Sequence, residues 1–278
     1  IIYSFAAKYD LAFRVIDAAQ AFATEAASPK SLHDKIEANR ASFLLGSGFL
    51  QKSLDSLNDL VERTAVHTDS DSQAAHINSK INLIYNYMLL GKLKRALDTC
   101  AEVAPLARDP NTPIDNLNRV MYFSWHATAL AQANDTKAAI ALLTEARRFV
   151  PVGNKAHEIT FAIALGVAEV RAGLVDNGLT RLNEIVKQAE SLGLYYQNAL
   201  YALTLVHEHL GNIGKALELV EKLEAVMKDA ARGVVGIQGD EDAHDTPEER
   251  AWKAEATASS LAEALAARAH PTNPFFEP

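Results

Sequence analysis

The sequence predicts an all-α fold built from tandem two-helix repeats. Three observations support this prediction: a short motif recurs along the chain, apolar residues follow a helical spacing on both sides of each copy, and no segment alternates as a β-strand does. Repeats of this kind cannot bury their apolar faces alone, so they stack into an array.

The recurring motif marks the turn inside each repeat. It starts with Gly or Asn, and five positions later it has a small residue followed by an apolar one, as in Gly91 to Leu97 and Gly211 to Leu217. The copies start at Gly48, Gly91, Asn134, Gly173 and Gly211, and a degenerate copy starts at Ala7. Their spacing of roughly 38–43 residues is typical of solenoid repeats. Glycine or asparagine suits a left-handed helix end, and the later small residue suits a close helix crossing.

Each copy is flanked by two segments with helical periodicity. One such stripe consists of Ile77, Ile81 and Ile84. Ser31, and Thr112 followed by Pro113, are expected as helix starts. Helices are predicted at about 2–27, 31–46, 49–66, 71–90, 93–107, 113–133, 135–149, 153–172, 175–192, 194–210 and 213–231.

The pattern changes after residue 231. Residues 232–246 are rich in glycine and acidic side chains and are expected to form a flexible linker. A helix is then expected to begin at Thr246-Pro247, because Pro suits the first helical position, and to run to about Arg268. The three expected parts are thus an array at 1–231, a linker at 232–246, and a helix with an extended Pro/Phe tail at 247–278. The C-terminal helix is expected to cap the open end of the array.

Composition and charge exclude several classes of protein. Hydrophobic residues make up 49% of the chain, too many for a disordered protein, and a single cysteine excludes a disulfide scaffold. The formal net charge is −8, whereas binding to nucleic acid through phosphates requires a basic surface. No apolar stretch reaches the length of a membrane-spanning helix. Neither nucleic-acid binding nor membrane insertion is therefore expected, and a cytoplasmic location is predicted, with the periplasm left open.

The repeat resembles the tetratricopeptide (TPR) family. Ala96, Ala139 and Ala216 match the alanine that opens the second helix of that family's unit, and Leu165-Gly166 matches its apolar–small pair. The repeats here are longer than the family's usual unit, as in the extended arrays of bacterial signalling and regulatory proteins. The resemblance implies a right-handed superhelical solenoid, with a concave groove lined by the first helix of each repeat.

The register of that groove predicts a peptide- or ligand-binding surface. Its candidate residues are Asn78, Tyr85, Met88, Ser124, Thr128, Thr160, Arg171, Asn198, Tyr201 and Glu208. Amides and hydroxyls can bond a peptide backbone, and apolar pockets can hold its side chains. For the apolar members of this face, packing between repeats is an equally good interpretation.

Two functions remain open at this point. One is a non-enzymatic scaffold that holds a protein or peptide partner in an open groove. The other is a sensing domain of a larger bacterial signalling or transcription-regulating protein, whose groove would be pinched closed around Tyr85, Ser124 and Tyr201. A homodimer is a further possible assembly.

Catalytic, metal and cofactor sites are not expected. His207 and His209 are two positions apart on a helix and point in different directions, so they cannot share a metal. Phe161 stands where a zinc-protease motif starting at His157 requires a second histidine. Cys100 lies on an apolar helical stripe and is expected to be a small core residue.

Overall fold

The computed structural model describes residues 9–235, with side-chain surroundings for residues 11–229. This part of the chain consists of eleven α-helices and one short 3₁₀ turn, and it contains no β-strand. In chain order the helices are α1 (Tyr9–Glu25), α2 (Lys30–Gly46), α3 (Leu50–Thr64), α4 (Ser70–Leu89), α5 (Leu93–Arg108), α6 (Asn116–Gln132), α7 (Thr136–Ala146), α8 (Lys155–Arg171), α9 (Val175–Ala189), α10 (Leu194–His209) and α11 (Ile213–Val235). The 3₁₀ turn, Arg147–Phe149, follows α7. The all-α prediction is confirmed for these residues.

The turn at each described motif copy has the expected left-handed backbone. The φ angles are +87° at Gly48, +69° at Gly91, +87° at Gly173 and +73° at Gly211. Asn134 takes the same role with φ of +63°, which fits the tolerance of asparagine for this conformation. The copy at Ala7 lies outside the described residues.

The small residue of each described motif copy is buried at a helix crossing. These residues are Ser53, Ala96, Ala139, Gly178 and Ala216. The Ser53 hydroxyl donates a hydrogen bond of 2.9 Å to the carbonyl of Ala41, which joins α3 to α2. A larger side chain at these positions would hold the paired helices apart.

Two helix starts differ from the sequence prediction. Helix α2 begins at Lys30 with Pro29 as its N-cap, so Ser31 lies inside the helix. Helix α6 is capped by Asp115, whose carboxylate accepts a hydrogen bond of 2.7 Å from the Asn118 amide. Thr112 and Pro113 precede this helix, because the aspartate can bond the free amides of the first turn and Pro113 cannot.

The helices form an inner and an outer layer. Each helix packs against its neighbours in sequence, and the even-numbered helices α2, α4, α6, α8 and α10 also contact one another in that order. The inner layer is buried on most sides: every residue from Tyr195 to Val206 in α10 is buried, whereas α5 buries only one face. The inner helices therefore carry most of the hydrophobic core.

The two ends of the described array meet. Helix α11 contacts α1, and the Met227 side chain lies against Gly48, within about 3.5 Å of where a Cβ would stand. The Gln197 amide donates a hydrogen bond of 2.9 Å to the carbonyl of Gly46, 151 positions away in the chain. The array thus curves until α10 and α11 reach the first repeat.

The C-terminal boundary differs slightly from the expected one. Helix α11 continues past residue 231 to Val235. The rest of the expected linker, the expected capping helix and the Pro/Phe tail lie outside the described residues. Between residues 9 and 235, no helix combines the length and apolarity that crossing a membrane requires.

Candidate binding site on the inner helices

The candidate site residues lie on the inner helices, and most of them are buried. The buried members are Tyr85, Met88, Ser124, Thr128, Thr160, Asn198 and Tyr201. Three others, Asn78, Arg171 and Glu208, are partly exposed. The structure therefore places most of the expected groove inside the molecule.

An aromatic cluster of Tyr85, Trp125 and Tyr201 joins three inner helices. The Tyr85 ring stacks on Trp125 with centroids 4.9 Å apart and an angle of 15° between the ring planes. Tyr201 meets Tyr85 edge to face, at 6.2 Å and 83°. Both geometries are favourable for aromatic pairs. The cluster closes the inner face between α4, α6 and α10.

The tyrosine of α10 also bonds the end of α4. Its hydroxyl donates a hydrogen bond of 2.9 Å to the carbonyl of Met88, which lies in the last turn of that helix. Carbonyls in a last helical turn have no partner within the helix. Tyr201 therefore links the two helices through its hydroxyl as well as its ring, and three candidate residues, Tyr85, Met88 and Tyr201, come together.

Two hydroxyls of the candidate site are already used within their own helices. Thr128 donates to the carbonyl of Ser124 at 2.9 Å, and Thr160 donates to the carbonyl of Ala156 at 2.8 Å. These back-bonds are common for threonine in helices. Both threonines are therefore less suited to a ligand than the sequence suggested.

Three other polar side chains have a buried atom without a hydrogen bond. The atoms are Ser124 Oγ, Asn198 Oδ1 and Asn78 Oδ1, and none has a partner among the described residues. Ser124 is 1% exposed and Asn198 is 8% exposed. A buried polar atom left unpaired costs about 1–3 kcal/mol. Ser124 is next to Trp125 in sequence, and Asn198 lies one helical turn before Tyr201, so two of these atoms belong to residues that neighbour the aromatic cluster along α6 and α10.

Two of the partly exposed members, Arg171 and Glu208, lie at helix ends, and Asn78 lies near the middle of α4. Asn78 is about two turns before Tyr85 in α4, and Glu208 is about two turns after Tyr201 in α10. Arg171 ends α8, and its guanidinium donates a hydrogen bond of 3.2 Å to the side chain of Asn134. These three residues are the more accessible part of the candidate surface, and the aromatic cluster is its buried part.

Sequence reasoning missed two residues that shape this site, Trp125 and Gln197. Both are adjacent to candidates, Ser124 and Asn198, on faces directed toward a neighbouring inner helix. The repeat register could have indicated this position: Asn82 aligns with Trp125, and its side chain donates a hydrogen bond of 2.7 Å to Ser42 of α2. Contacts between inner helices therefore recur at this register position.

Several ionisable groups of the described residues have shifted pKa values, but they form no metal-binding cluster. No group of three or more His, Cys, Asp or Glu side chains in residues 9–235 is placed to hold a metal ion. Burial lowers the pKa of both His207 and His209, assisted by Lys215 for the former and by Arg171 for the latter. Burial raises the pKa of the Cys100 thiol well above its ordinary value, which disfavours the reactive thiolate.

A buried hydrogen-bond chain lies next to this cysteine. The Tyr122 hydroxyl donates to the Cys100 carbonyl at 3.0 Å and lies 3.0 Å from Nδ1 of His126. Burial, with the positive charge of Arg108 as a lesser cause, lowers the pKa of His126 to about 4. The histidine is therefore neutral at pH 7, and its side chain is partly exposed.

A separate surface depression lies where α2 and α4 begin. Its volume is about 560 Å³, and its lining includes Lys30, His67, Asp69 and Asp71. Asp69 already accepts the Ser72 amide at 2.9 Å as the N-cap of α4, and Asp71 pairs with Lys35 at 2.6 Å. Both aspartates already have partners within the protein, and their negative charges balance those of the nearby lysines. This depression is therefore a weaker candidate for a ligand-binding site than the inner face.

Comparison with known proteins assigns no family to this chain. No protein-family model matches the sequence, and no curated protein is significantly similar to it.

Proposed function

We propose that this chain is a non-enzymatic sensing module, in which a small polar ligand or short peptide binds between the inner helices and changes the curvature of the array. This is the second of the two functions expected from the sequence. The closed contact of Tyr85 with Tyr201 favours it over a scaffold whose groove is always open. The observation that carries the proposal is that two polar atoms, Ser124 Oγ and Asn198 Oδ1, are buried without a partner on the helices that supply Trp125 and Tyr201 to the aromatic cluster.

The fold assigned in this proposal is a right-handed TPR-type solenoid. The left-handed turns at regular spacing and the buried small residue after each turn support it. In such an array, a small rotation between repeats changes the overall curvature. A ligand that separates α10 from α4 would therefore change how α11 packs against α1. An attached output domain in a larger bacterial signalling or transcription-regulating protein could read that change.

The chemistry of the inner face narrows the ligand class. An asparagine oxygen accepts a hydrogen bond, a serine hydroxyl both accepts and donates, and the aromatic rings offer apolar faces. A ligand with N–H donors on a small apolar frame fits this set, which includes amino acids, short peptides and amines. Filling the two unpaired positions would recover part of their desolvation cost, and that recovery would help to open the Tyr85–Tyr201 contact.

The test is a thermal-shift screen of amino acids, short peptides and primary amines against the full chain. A ligand that binds only the folded state raises the unfolding temperature by mass action. Ser124→Ala should remove this response while leaving the unliganded protein as stable as before or more stable, because it deletes an unpaired hydroxyl. The matched control is Ser79→Ala: Ser79 is a buried serine whose hydroxyl is satisfied within its own helix at 2.7 Å. It should keep the wild-type response.

Two results would count against the sensing role. One is a panel in which nothing shifts the wild-type unfolding temperature. The other is a ligand whose effect survives Ser124→Ala unchanged. Small-angle scattering on a confirmed complex should show a change in the radius of gyration, and an unchanged value would refute the change of curvature.

A second function, the peptide- or protein-binding scaffold, is supported by the partly exposed candidate residues. Asn78, Arg171 and Glu208 remain partly exposed and could contact a partner without opening the aromatic cluster. In that case, Arg171→Ala should reduce capture of a partner, whereas Ser124→Ala should not.

A further inference from the structure

The first and last described repeats meet at a seam, which we define as the contacts of α10 and α11 with α1, α2, α4 and the turn that follows α2. Helix α10 packs along α8, α9 and α11, but it does not pack along α2 or α4 in this way. Gln197 donates a hydrogen bond of 2.9 Å to the carbonyl of Gly46, and Tyr201 donates one of 2.9 Å to the carbonyl of Met88. Between α10 and the helices α2 and α4, the seam is therefore held by individual side chains.

Both hydrogen bonds across the seam can be exchanged for water. Each acceptor lies at the C-terminal end of an inner helix: Gly46 is the last residue of α2, and Met88 lies in the last turn of α4. Carbonyls at a helix end have no partner farther along the helix, so water replaces the donor once the seam opens. A hydrogen bond that is exchanged for one to water contributes only modestly to net stability. The seam can therefore open without leaving these carbonyls unpaired.

The inner face behind the seam is closed to solvent. Tyr85 is 4% exposed, Trp125 is 6% and Tyr201 is 3%, so a ligand can reach the aromatic cluster only if helices move apart. Consecutive repeats are joined by a connecting turn, whereas the seam brings together residues 151 positions apart. Among the boundaries between described repeats, the seam is thus the one that opens without separating helices that a short turn holds together.

We propose that the seam is the entrance to the inner face: α10 and α11 move away from α2 and α4, and a small ligand passes between them. This role rests on the proposed function, because the entrance admits the ligand of that same site. Small rotations between stacked repeats add up along an array, so they can widen the seam while each repeat stays intact. The polar atoms of Ser124 and Asn198, which are buried without a partner in the closed array, then become accessible.

A disulfide across the seam tests the entrance directly. A Cβ at position 48 would lie 3.6 Å from the Cβ of Met227, within the range of about 3.5–4.5 Å that disulfides require. Gly48→Cys with Met227→Cys, in a Cys100→Ala background, should therefore form an intramolecular disulfide under mild oxidation. This bond ties α11 to the turn after α2 and keeps the seam closed.

Alkylation by iodoacetamide, a small primary amide, measures access to the inner face. Ser124→Cys places a thiol at a position that is 1% exposed. In a chain that keeps Cys100, the introduced thiol should react at least tenfold faster than Cys100, which is fully buried on α5 and becomes accessible only with wider unfolding. Once the disulfide across the seam has formed, alkylation at position 124 should slow at least tenfold.

The hydrogen bond of Gln197 provides a second test. Gln197→Leu removes the amide donor at similar volume and should speed alkylation at position 124 roughly fivefold, the factor that corresponds to the net value of one hydrogen bond. The control is Thr204→Val in the same helix. It removes a buried hydroxyl that bonds the Leu200 carbonyl of α10 itself at 3.0 Å, so it should leave the rate unchanged.

Three results would overturn the entrance. They are alkylation at position 124 no faster than at Cys100, a rate that the disulfide leaves unchanged, or failure of the disulfide to form in the folded protein. A ligand screen without a hit, together with alkylation that the disulfide blocks, would instead count against the proposed ligand and leave the entrance supported.

Discussion

Replacing Gly178 by alanine sets two opposing effects against each other at one helix crossing. Glycine inside a helix is normally less favourable than alanine by about 1 kcal/mol, so the substitution should stabilise α9 by itself. However, a Cβ at position 178 would stand 2.5 Å from the carbonyl oxygen of Gly166, 2.5 Å from Cγ2 of Val170 and 3.0 Å from the Val170 nitrogen. Two of these three atoms belong to the backbone of α8 and cannot rotate away.

The size of the conflict follows from these distances. They are about 1 Å shorter than the optimal separation of about 3.5–4.0 Å between nonbonded heavy atoms, so α8 and α9 must move apart. Overpacking of a close-packed interior costs about 1–3 kcal/mol, and separating the helices also weakens the burial of Leu182. Subtracting the gain in helix propensity of about 1 kcal/mol, we expect Gly178→Ala to lower the free energy of unfolding by up to about 2 kcal/mol.

The assay is urea unfolding followed by circular dichroism, with two further glycines as controls. Gly214 lies in the first turn of α11, and a Cβ there meets nothing within 4 Å; Gly214→Ala should be neutral or stabilising by up to about 1 kcal/mol. Gly173 also has open space but a φ of +87°; Gly173→Ala should destabilise through the backbone alone, by about 1 kcal/mol. If Gly178→Ala is as stable as Gly214→Ala, the close crossing of α8 and α9 is wrong.

Three further predictions concern the inner face and the core. Tyr201→Phe should lower the free energy of unfolding by only about 1 kcal/mol, the net value of one hydrogen bond. The loss stays small because the Met88 carbonyl still accepts a hydrogen bond from the Gly91 amide at 3.1 Å and is not left unpaired. An unchanged urea midpoint would contradict the link between α10 and α4. Burial lowers the pKa of His126 to about 4, against about 6.5 in an unfolded chain, so the unfolded state takes up the proton first on acidification. The contribution of this residue to the free energy of unfolding is complete above about pH 6.5 and is lost as the pH falls towards 4, by up to about 3 kcal/mol. His126→Gln should therefore flatten the plot of unfolding free energy against pH between these two values. An unaltered slope would refute the lowered pKa of His126. Cys100, buried and with a raised pKa, should resist alkylation in the native protein at pH 7.5 and react fully in denaturant, as mass spectrometry can show; rapid native labelling would place the thiol at the surface.

The local features of the fold were predictable because each depends on residues close together in sequence. A left-handed turn needs glycine or asparagine at one position, and the close helix crossing five residues later needs a small side chain. Gly91 with Ala96 and Asn134 with Ala139 follow both rules. Helix starts were less well predicted. At α6, Thr112-Pro113 and Asp115 are competing caps within four residues, and the choice between them depends on which one can bond the first free amides.

The closure of the inner face could not be predicted from one repeat at a time. The register placed Tyr85 and Tyr201 on the same face of their helices, but their contact depends on the curvature accumulated over the repeats between them. Trp125 was missed for a related reason, since it points toward a neighbouring inner helix and the prediction followed only the centre of the face. Whether these residues bind a ligand stays a prediction.

The hydrogen bond from Gln197 to the Gly46 carbonyl has a consequence for how the chain folds. Arrays of helical repeats are usually governed by local contacts, so a terminal repeat can fray without disturbing the rest. Here the last inner helix is tied to the first across 151 positions. Contacts of such high sequence separation slow folding, because a long loop must be ordered before the contact forms. The described array should therefore complete its last repeats late, and loosening of α10 should weaken protection at α2, so that two segments distant in sequence open as one cooperative unit.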